Sequence, residues 1–360
     1  MSSTLENTKY QRIADVLREK IRSRELQPED RLPSFSEMRS HYGATTTTTE
    51  RVYSILEQEG LVKREKGRGI FVAHPEQPPI NGIIGITGLD LNSAFATHPW
   101  PMHLLNGIRK VAAAAEKEII LYPRPSDANI KWERVDGIIN LEPYQPYILP
   151  YLPIGMPVVG TFTRSEGHIS VVGDEAGGIR SAVEHLLGLG HRRIAYLITH
   201  DTPQVPFLQP RITAYQNTLH NAGITPDTHW LRHLDAEGSC SYQEYGFRNM
   251  EQWLRDDWKD LGCTALLAQN DDIAIGAMQA MQQAGISIPE DVSVIGFDGT
   301  EIGKYCMPHL TSVALPLEEI GVQAMQLLLK LIREEPMPFS TLEVPTQLVI
   351  RNSTAPPKAP

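Results

Sequence analysis

"GATTTTTERVYSILEQEGLVKREKGRGIFVA", residues 43–73, joins two features that seldom occur together. Five consecutive threonines are poor helix formers, because branching at Cβ restricts χ1 against the preceding turn. Yet apolar residues resume at Val52, Ile55 and Leu56, a helical spacing. The pattern predicts a helix from about Thr46 to Glu59, capped by Thr45 and stopped at Gly60. "LVKRE" and "IFVA" then read as two short strands joined by a glycine-rich basic turn.

Working outward, Tyr10, Ile13, Leu17 and Ile21 mark one apolar face of an earlier helix, and Pro28 ends that unit. Ser34-Phe35-Ser36-Glu37 has the capping-box spacing, so a second short helix starts there, and Gly43 suits the turn that closes it. Three helices, a tight turn between the second and third, and a basic hairpin make a winged helix-turn-helix over residues 1–73. In that motif the third helix enters the major groove by its first turn. The threonines then gain a purpose: Thr46, Thr47 and Thr48 are expected to present hydroxyls to phosphate or base edges and methyls to thymine. The helix N-terminus adds free N–H groups and a partial positive charge. The plain alternative is a solvated threonine-rich helix start. Within a helix-turn-helix the DNA reading is the better one.

A net charge of −10 argues at first against nucleic acid, but its distribution does not. Residues 1–74 hold 13 basic and 11 acidic side chains; the remainder holds 20 and 32. A mildly basic head on an acidic body allows local attraction to phosphate.

"HPEQPPIN", residues 74–81, is an extended, fairly stiff proline-rich linker. Beyond it, short apolar strands alternate with helices across 82–352, and 353–360 reads as a tail. The strand candidates are GIIGIT, EIILYP, VDGIINL, MPVVGTF, RRIAYLI, TALLAQN and VSVIGFD. Helices are expected at about 100–116, 175–190, 210–223, 243–257, 272–285 and 317–334. Such alternation implies an α/β class with parallel sheets, and the length implies two lobes facing each other across a cleft. Ligands in open α/β sheets sit beyond the carboxyl ends of the strands.

Other classes find no support. No apolar run approaches the roughly 20 residues of a membrane helix, and the N-terminus lacks an apolar signal region. Cys240, Cys263 and Cys306 are odd in number and lack metal spacing, so they read as buried or idle thiols in a reducing cytosol. His185 with His191, and His229 with His233, form no known ligand pattern, and no metal or cofactor is expected. No catalytic constellation is present, so the chain is not read as an enzyme.

The stretch from Tyr10 to Ala73 resembles the GntR-family DNA-binding domain, notably at Leu32-Pro33-Ser34, Glu37, Gly43, Leu56-Glu57, Glu59-Gly60-Leu61-Val62, Gly67, Gly69 and Phe71-Val72. That resemblance implies contacts to operator DNA by Arg31, Ser34, Ser36, Arg39, Thr45, Thr46, Thr47, Thr48, Arg51, Lys66, Gly67 and Arg68. It also exposes departures. Ser36, Thr46 and Glu50 stand where the family pattern carries arginines. Arginine to guanine is the commonest specific base contact, so its loss points to an operator read differently, A·T-rich, with a weaker salt dependence.

"GHRRIAYL", "VDGII" and "NDDIAIGAMQAMQQAGISIPEDVSVIGFDGTEIGKYCMPHLTSV" resemble the effector-binding core of the LacI family, itself similar to periplasmic sugar-binding proteins. A GntR head on a LacI-type core is similar to the arabinose-type chimeric repressors. Under that resemblance Arg211 and Asp298 are ligand contacts: a guanidinium bonds two vicinal hydroxyls or a carboxylate, and a carboxylate accepts from sugar hydroxyls. Asn270 and Asp271 end a strand at the cleft, where Asp271 is either a ligand contact or a helix cap. Trp100, Phe162, Phe207 and Ser241, with Tyr242, complete the candidates. The expected protein is a cytoplasmic, homodimeric, carbohydrate-responsive repressor binding double-stranded operator DNA, without a membrane partner. The alternative is a sugar sensor with a degenerate DNA-binding head.

Overall fold

The computed structural model describes residues 9–22, 25–73, 81–88, 100–122, 132–141, 152, 155–162, 169–199, 208–234 and 241–358. In the head, α1 (Lys9–Arg22), α2 (Phe35–Tyr42) and α3 (Thr46–Gln58) precede β1 (Val62–Glu65) and β2 (Gly69–Val72). The apolar face read from spacing is the buried one: Ile13, Leu17 and Ile21 pack with Met38, Val52, Tyr53, Leu56 and Val72 in one core. Ser34 closes its capping box with Glu37, and Gly43 takes the left-handed conformation (φ 60°) that ends α2. β1 and β2 pair antiparallel, Val62 opposite Val72.

The core runs β3 (Ile83–Thr87), α4 (Trp100–Ala114), β4 (Glu118–Leu121), β5 (Gly137–Asn140), β6 (Val158–Gly160), β7 (Ile169–Gly173), α5 (Glu175–Gly188), β8 (Ile194–Thr199) and α6 (Leu208–Asn221). It continues with β9 (Leu231–Leu234), α7 (Tyr242–Asp256), α8 (Trp258–Leu261), β10 (Ala265–Ala268), α9 (Asp271–Gln283), β11 (Ser293–Asp298), β12 (Thr311–Ala314), α10 (Leu317–Ile332), β13 (Thr341–Val344) and β14 (Gln347–Val349). Two six-stranded sheets result, ordered β13-β7-β6-β5-β3-β4 and β14-β12-β11-β10-β8-β9. The first is parallel throughout; in the second only β14 runs antiparallel, against β12. The winding order is the same in both sheets, a repeat of topology that the sequence does not display.

The chain crosses between sheets three times: from β7 to α5, from β12 to α10, and from β13 to β14. Two of these crossings are stitched together, Asp174 N–H to Val344 C=O at 2.8 Å and the Thr346 hydroxyl to Asp174 C=O at 2.9 Å. Since β7 and β12 both end at a crossing and are parallel to their neighbours, the carboxyl ends of both sheets lie on the crossing side. Helix pairs pack closely over each sheet. Gly276 of α9 lets α7 approach so far that a Cβ there would collide with the Gln243 carbonyl.

Among the described residues four further core strands, β7, β12, β13 and β14, join the seven strand candidates, and β9 falls at His233, where a strand is also expected. Ser353, Thr354 and Ala355, expected to belong to a tail, are also part of the second lobe. Ser353 is fully buried, accepts from Thr311 N–H at 2.8 Å and exchanges bonds with Val294. Thr354 meets His185, and the Ala355 carbonyl meets His191 at 2.9 Å. Both histidines are held below their ordinary pKa by burial. Their partners are hydroxyls and backbone, and among the described residues no group of His, Cys, Asp and Glu could hold a metal. Cys263 is buried, which pushes its thiol up to about 12, and burial raises Cys306 too. Cys240 lies outside the described residues.

Candidate functional site: the first turn of α3 and the buried cluster around Arg211 and Asp298

On the head, Thr45 caps α3, its hydroxyl accepting from Thr48 N–H at 3.2 Å. Thr46 and Thr47 are exposed at the first turn. Thr48 departs from the expected outward trio. It is half-buried, and its hydroxyl lies 2.9 Å from that of Thr45, because the helix turn carries it back over the cap. Thr49 points fully into the core, and its hydroxyl has no hydrogen-bond partner. The run therefore divides into one cap, two exposed residues, one bridging residue and one core residue.

Of the other candidates, Ser34 is engaged as the α2 cap, and Ser36 and Arg39 are exposed on α2. Arg31 is exposed at a bridge to Phe71, its guanidinium against Gly69. Arg51 lies over the Tyr10 ring at 4.3 Å. In the wing, Lys66 is exposed, Gly67 makes the turn at φ 79°, and Arg68 pairs with Glu65 at 2.5 Å. Three further pairings hold the wing. Arg64 bridges Glu50 at 2.7 Å and Glu57 at 2.8 Å, and Lys63 bridges Glu29 at 2.6 Å. Glu50, standing where the GntR pattern has arginine, thus faces the wing.

In the second lobe, Arg211 of α6 is 4% exposed. Its Nε donates to Glu175 Oε2 at 2.8 Å, its Nη1 donates to the Gln269 carbonyl at 2.8 Å, and its guanidinium lies 3.8 Å from the Phe297 ring centre. Burial alone would lower the guanidinium pKa, but the Glu175 carboxylate outweighs it and holds it raised. Asp298 ends β11 in a left-handed conformation (φ 101°) that costs a non-glycine residue about 1–2 kcal/mol. Burial, then the nearby Asp271, push its carboxyl well above the ordinary range, while Arg211 pulls it back.

Three residues hold this strained turn. Gly299 N–H donates to the Ser312 hydroxyl at 3.1 Å, and Ser312 in turn donates to Asp271. Asp271 also accepts from the Thr300 backbone at 2.5 Å and hydroxyl at 2.7 Å. Asp271 is fully buried, with both carboxylate oxygens so engaged. The cap of α9 is Asn270, accepting from Ile273 N–H at 2.8 Å, and not Asp271. Sequence spacing places an acid at a strand end but does not reveal that it clamps two loops.

Of the remaining candidates, Ser241 and Phe162 do not join this group. Ser241 is exposed and caps α7, and Phe162 is half-buried against the core of the first lobe. Trp100 opens α4, with its side chain outside the described residues, as is all of Phe207. Glu175, Gln269, Thr300 and Ser312 escaped the sequence reading. An acid in the first turn of a helix reads simply as a complement to the helix dipole. A cavity of about 400 Å³ lies at the opposite, amino ends of β10 and β11, lined by Trp258, Cys263, Ile286 and Val292.

Two family profiles match the chain. The profile of the gntR family of bacterial regulatory proteins matches residues 9–72, and that of the periplasmic binding protein-like domain matches 183–354. A ribose operon repressor of Haemophilus influenzae is 31% identical over 269 residues, covering 71% of this chain and 77% of its own length. The arabinose metabolism transcriptional repressor of Geobacillus stearothermophilus is 25% identical over 369 residues, covering 96% of this chain and 97% of its own. Among solved structures, a LacI family transcriptional regulator from Enterococcus faecium with bound ribose is 28% identical, with a TM-score of 0.64, and covers 76% of this chain and 99% of that one. With a GntR-type winged helix at its N-terminus and a periplasmic-binding-protein-like core behind it, the chain belongs to the LacI-type family of bacterial transcriptional repressors.

Proposed function

We propose that the protein represses transcription in the cytoplasm, binding operator DNA through its head as a homodimer and releasing or tightening that grip when a small carbohydrate occupies the core. The observation that carries this reading is the conjunction of two sites in one chain: Thr46 and Thr47 exposed at the first turn of a recognition helix, and Arg211 with Asp298 at the carboxyl ends of the second-lobe strands. An effector can shift operator affinity only by its different affinity for two states of the core. The three crossings give that core a natural bending point.

Arg211 and Asp298 are the proposed ligand contacts, with Asn270 and Asp271 supporting them. Trp100, Phe162, Phe207 and Ser241 stay as outer candidates. Operator contacts are assigned to Thr46, Thr47, Arg39, Ser36, Arg31, Arg51, Lys66 and Arg68, with Ser34, Thr45, Thr48 and Gly67 shaping the surface. Operators with two-fold symmetry require a two-fold protein, and the exposed Tyr305, Met307 and Ile350 of the second lobe are apolar surface that a second copy would cover.

One observation favours a sensor with an inactive head: Lys63, Arg64 and Arg68 of the wing are paired within the head. A selection of duplexes by the full-length protein from sheared genomic DNA at low salt separates the two. Enrichment of a palindromic site supports the repressor, and no enrichment supports the sensor.

A further inference from the structure

We propose that Glu175 sets the charge class of the effector: by holding the Arg211 guanidinium inside the second lobe, it fits the site to uncharged polyhydroxy ligands and turns away their carboxylate counterparts. The inference rests on the effector site proposed above and sharpens it, since an arginine at a ligand site serves hydroxyls or a carboxylate equally well.

The geometry begins at the first crossing. Asp174 caps α5 through Gly177 N–H at 2.8 Å, which fixes the first helical residue, Glu175, beside α6. There Glu175 Oε2 accepts from Arg211 Nε at 2.8 Å, with the two side chains only 13% and 5% exposed. The Gln269 carbonyl takes a second edge of the guanidinium, and the Phe297 ring lies under its face. The cation is therefore matched by an anion before any ligand arrives.

An incoming carboxylate has two routes to Arg211, and both are unfavourable. Displacing Glu175 would leave a buried carboxylate without its partner. Sharing the guanidinium would bring two like charges together in a water-poor site, where one must take up a proton. Further negative charge is already disfavoured at this place: burial, then the nearby Asp271, raise the Asp298 carboxyl well above the ordinary range. Hydroxyls meet neither obstacle. They donate to Glu175 and Asp298 and accept from Arg211 without changing the charge of the site.

The test uses the full-length protein, Glu175→Ala, which opens room for a small carboxylate, and Glu175→Gln, which keeps the shape. Thermal midpoints are first compared in sodium acetate and in sodium chloride at equal ionic strength. Wild type is expected to show no difference, whereas Glu175→Ala, destabilised in chloride, recovers roughly 2–4 °C in acetate. A panel then pairs neutral sugars (L-arabinose, D-ribose, D-glucose, D-galactose) with D-gluconate, D-glucuronate and D-galacturonate. Wild type is expected to respond to a neutral sugar alone, and Glu175→Gln to shift its preference at least about tenfold towards the acids. Acetate stabilising wild type as much as the variant, an Ala variant indifferent to acetate, or wild type favouring an acid would each overturn the proposal. If no sugar of either kind moves wild type, the carbohydrate reading fails, while the acetate arm still decides whether Glu175 closes Arg211 to carboxylates.

Discussion

In the head, Arg64 meets Glu50 at 2.7 Å and Glu57 at 2.8 Å with every partner at least 34% exposed; in the second lobe, Arg211 meets Glu175 at 2.8 Å with neither side chain above 13%. The distances are alike and the consequences are not. An exposed pair is worth about 0–1 kcal/mol, is screened by salt, and can be exchanged for a phosphate at little loss. A buried pair cannot be opened without leaving a charge stranded in a poor solvent. A cation of the head can thus be given over to another anion at little cost, whereas the cation of the lobe is fixed in place.

The sharpest way to break this contrast is to delete the buried cation. Arg211→Ala strands Glu175 and is expected to cost about 3–5 kcal/mol of core stability, while the separately packed head keeps its fold. Calorimetry should show one transition falling and the other unmoved. Next comes the turn that holds Asp298. Asp271 has its carboxyl raised from 3.8 to about 6, chiefly by burial, with the Ser312 and Thr300 hydrogen bonds pulling the other way. Between those values the folded state keeps a proton that the unfolded chain gives up. Ionisation therefore costs stability as pH rises through that window, and the cost is complete above about 6. Asp271→Asn carries no such cost, and it also removes the charge that helps raise Asp298, which acts in the same direction. Wild type should accordingly gain on the Asn variant in thermal midpoint as pH falls from about 7 to about 5. A constant difference across that range would show Asp271 to be indifferent to ionisation.

The threonine run carries the same contrast within five residues. Thr49→Val replaces a buried, unpartnered hydroxyl by a methyl and should add about 1 kcal/mol of stability with DNA affinity unchanged. Thr46→Ala or Thr47→Ala should do the reverse: stability equal or higher by a few tenths of a kcal/mol, at roughly that order, with weaker operator binding in an anisotropy titration. A Thr46 variant that melts early yet binds normally would make that residue structural. The smallest effect belongs to the exposed pair. Glu50→Gln should alter stability by no more than about 0.5 kcal/mol and release Arg64 towards phosphate. The dependence of log affinity on log salt should steepen by about one unit.

The same physics explains what could be read from sequence. Every head element was legible, because its helices are amphipathic and their ends carry caps: Thr45, Ser34 with Glu37, and Gly43. In the core, strands built on continuous apolar runs, such as Ile194–Thr199 and Ser293–Asp298, stood out. Thr311–Ala314, Thr341–Val344 and Gln347–Val349 are three or four residues long and partly polar, too short to show a period of two, and only sheet pairing makes them strands. The supposed tail shows the same limit. Nothing in "RNSTAPPKAP" signals that Ser353 will complete hydrogen bonds for Val294 and Thr311. In the sites, Arg211 and Asp298 could be named from motif alone. Glu175 and Ser312 could not, because their roles come from contacts across 36 and 41 residues of chain, to Arg211 and to Asp271.

Under the proposed function, a ligand in the core governs the grip of the head on DNA. Its most direct test is an anisotropy titration of full-length protein onto its selected operator, with and without the neutral sugar that raises the thermal midpoint. A shift of the DNA-binding midpoint by about fivefold or more is expected in wild type. In Asp298→Ala no shift is expected, while affinity for DNA without sugar stays the same. Identical midpoints in wild type with and without a sugar that demonstrably binds would contradict the account.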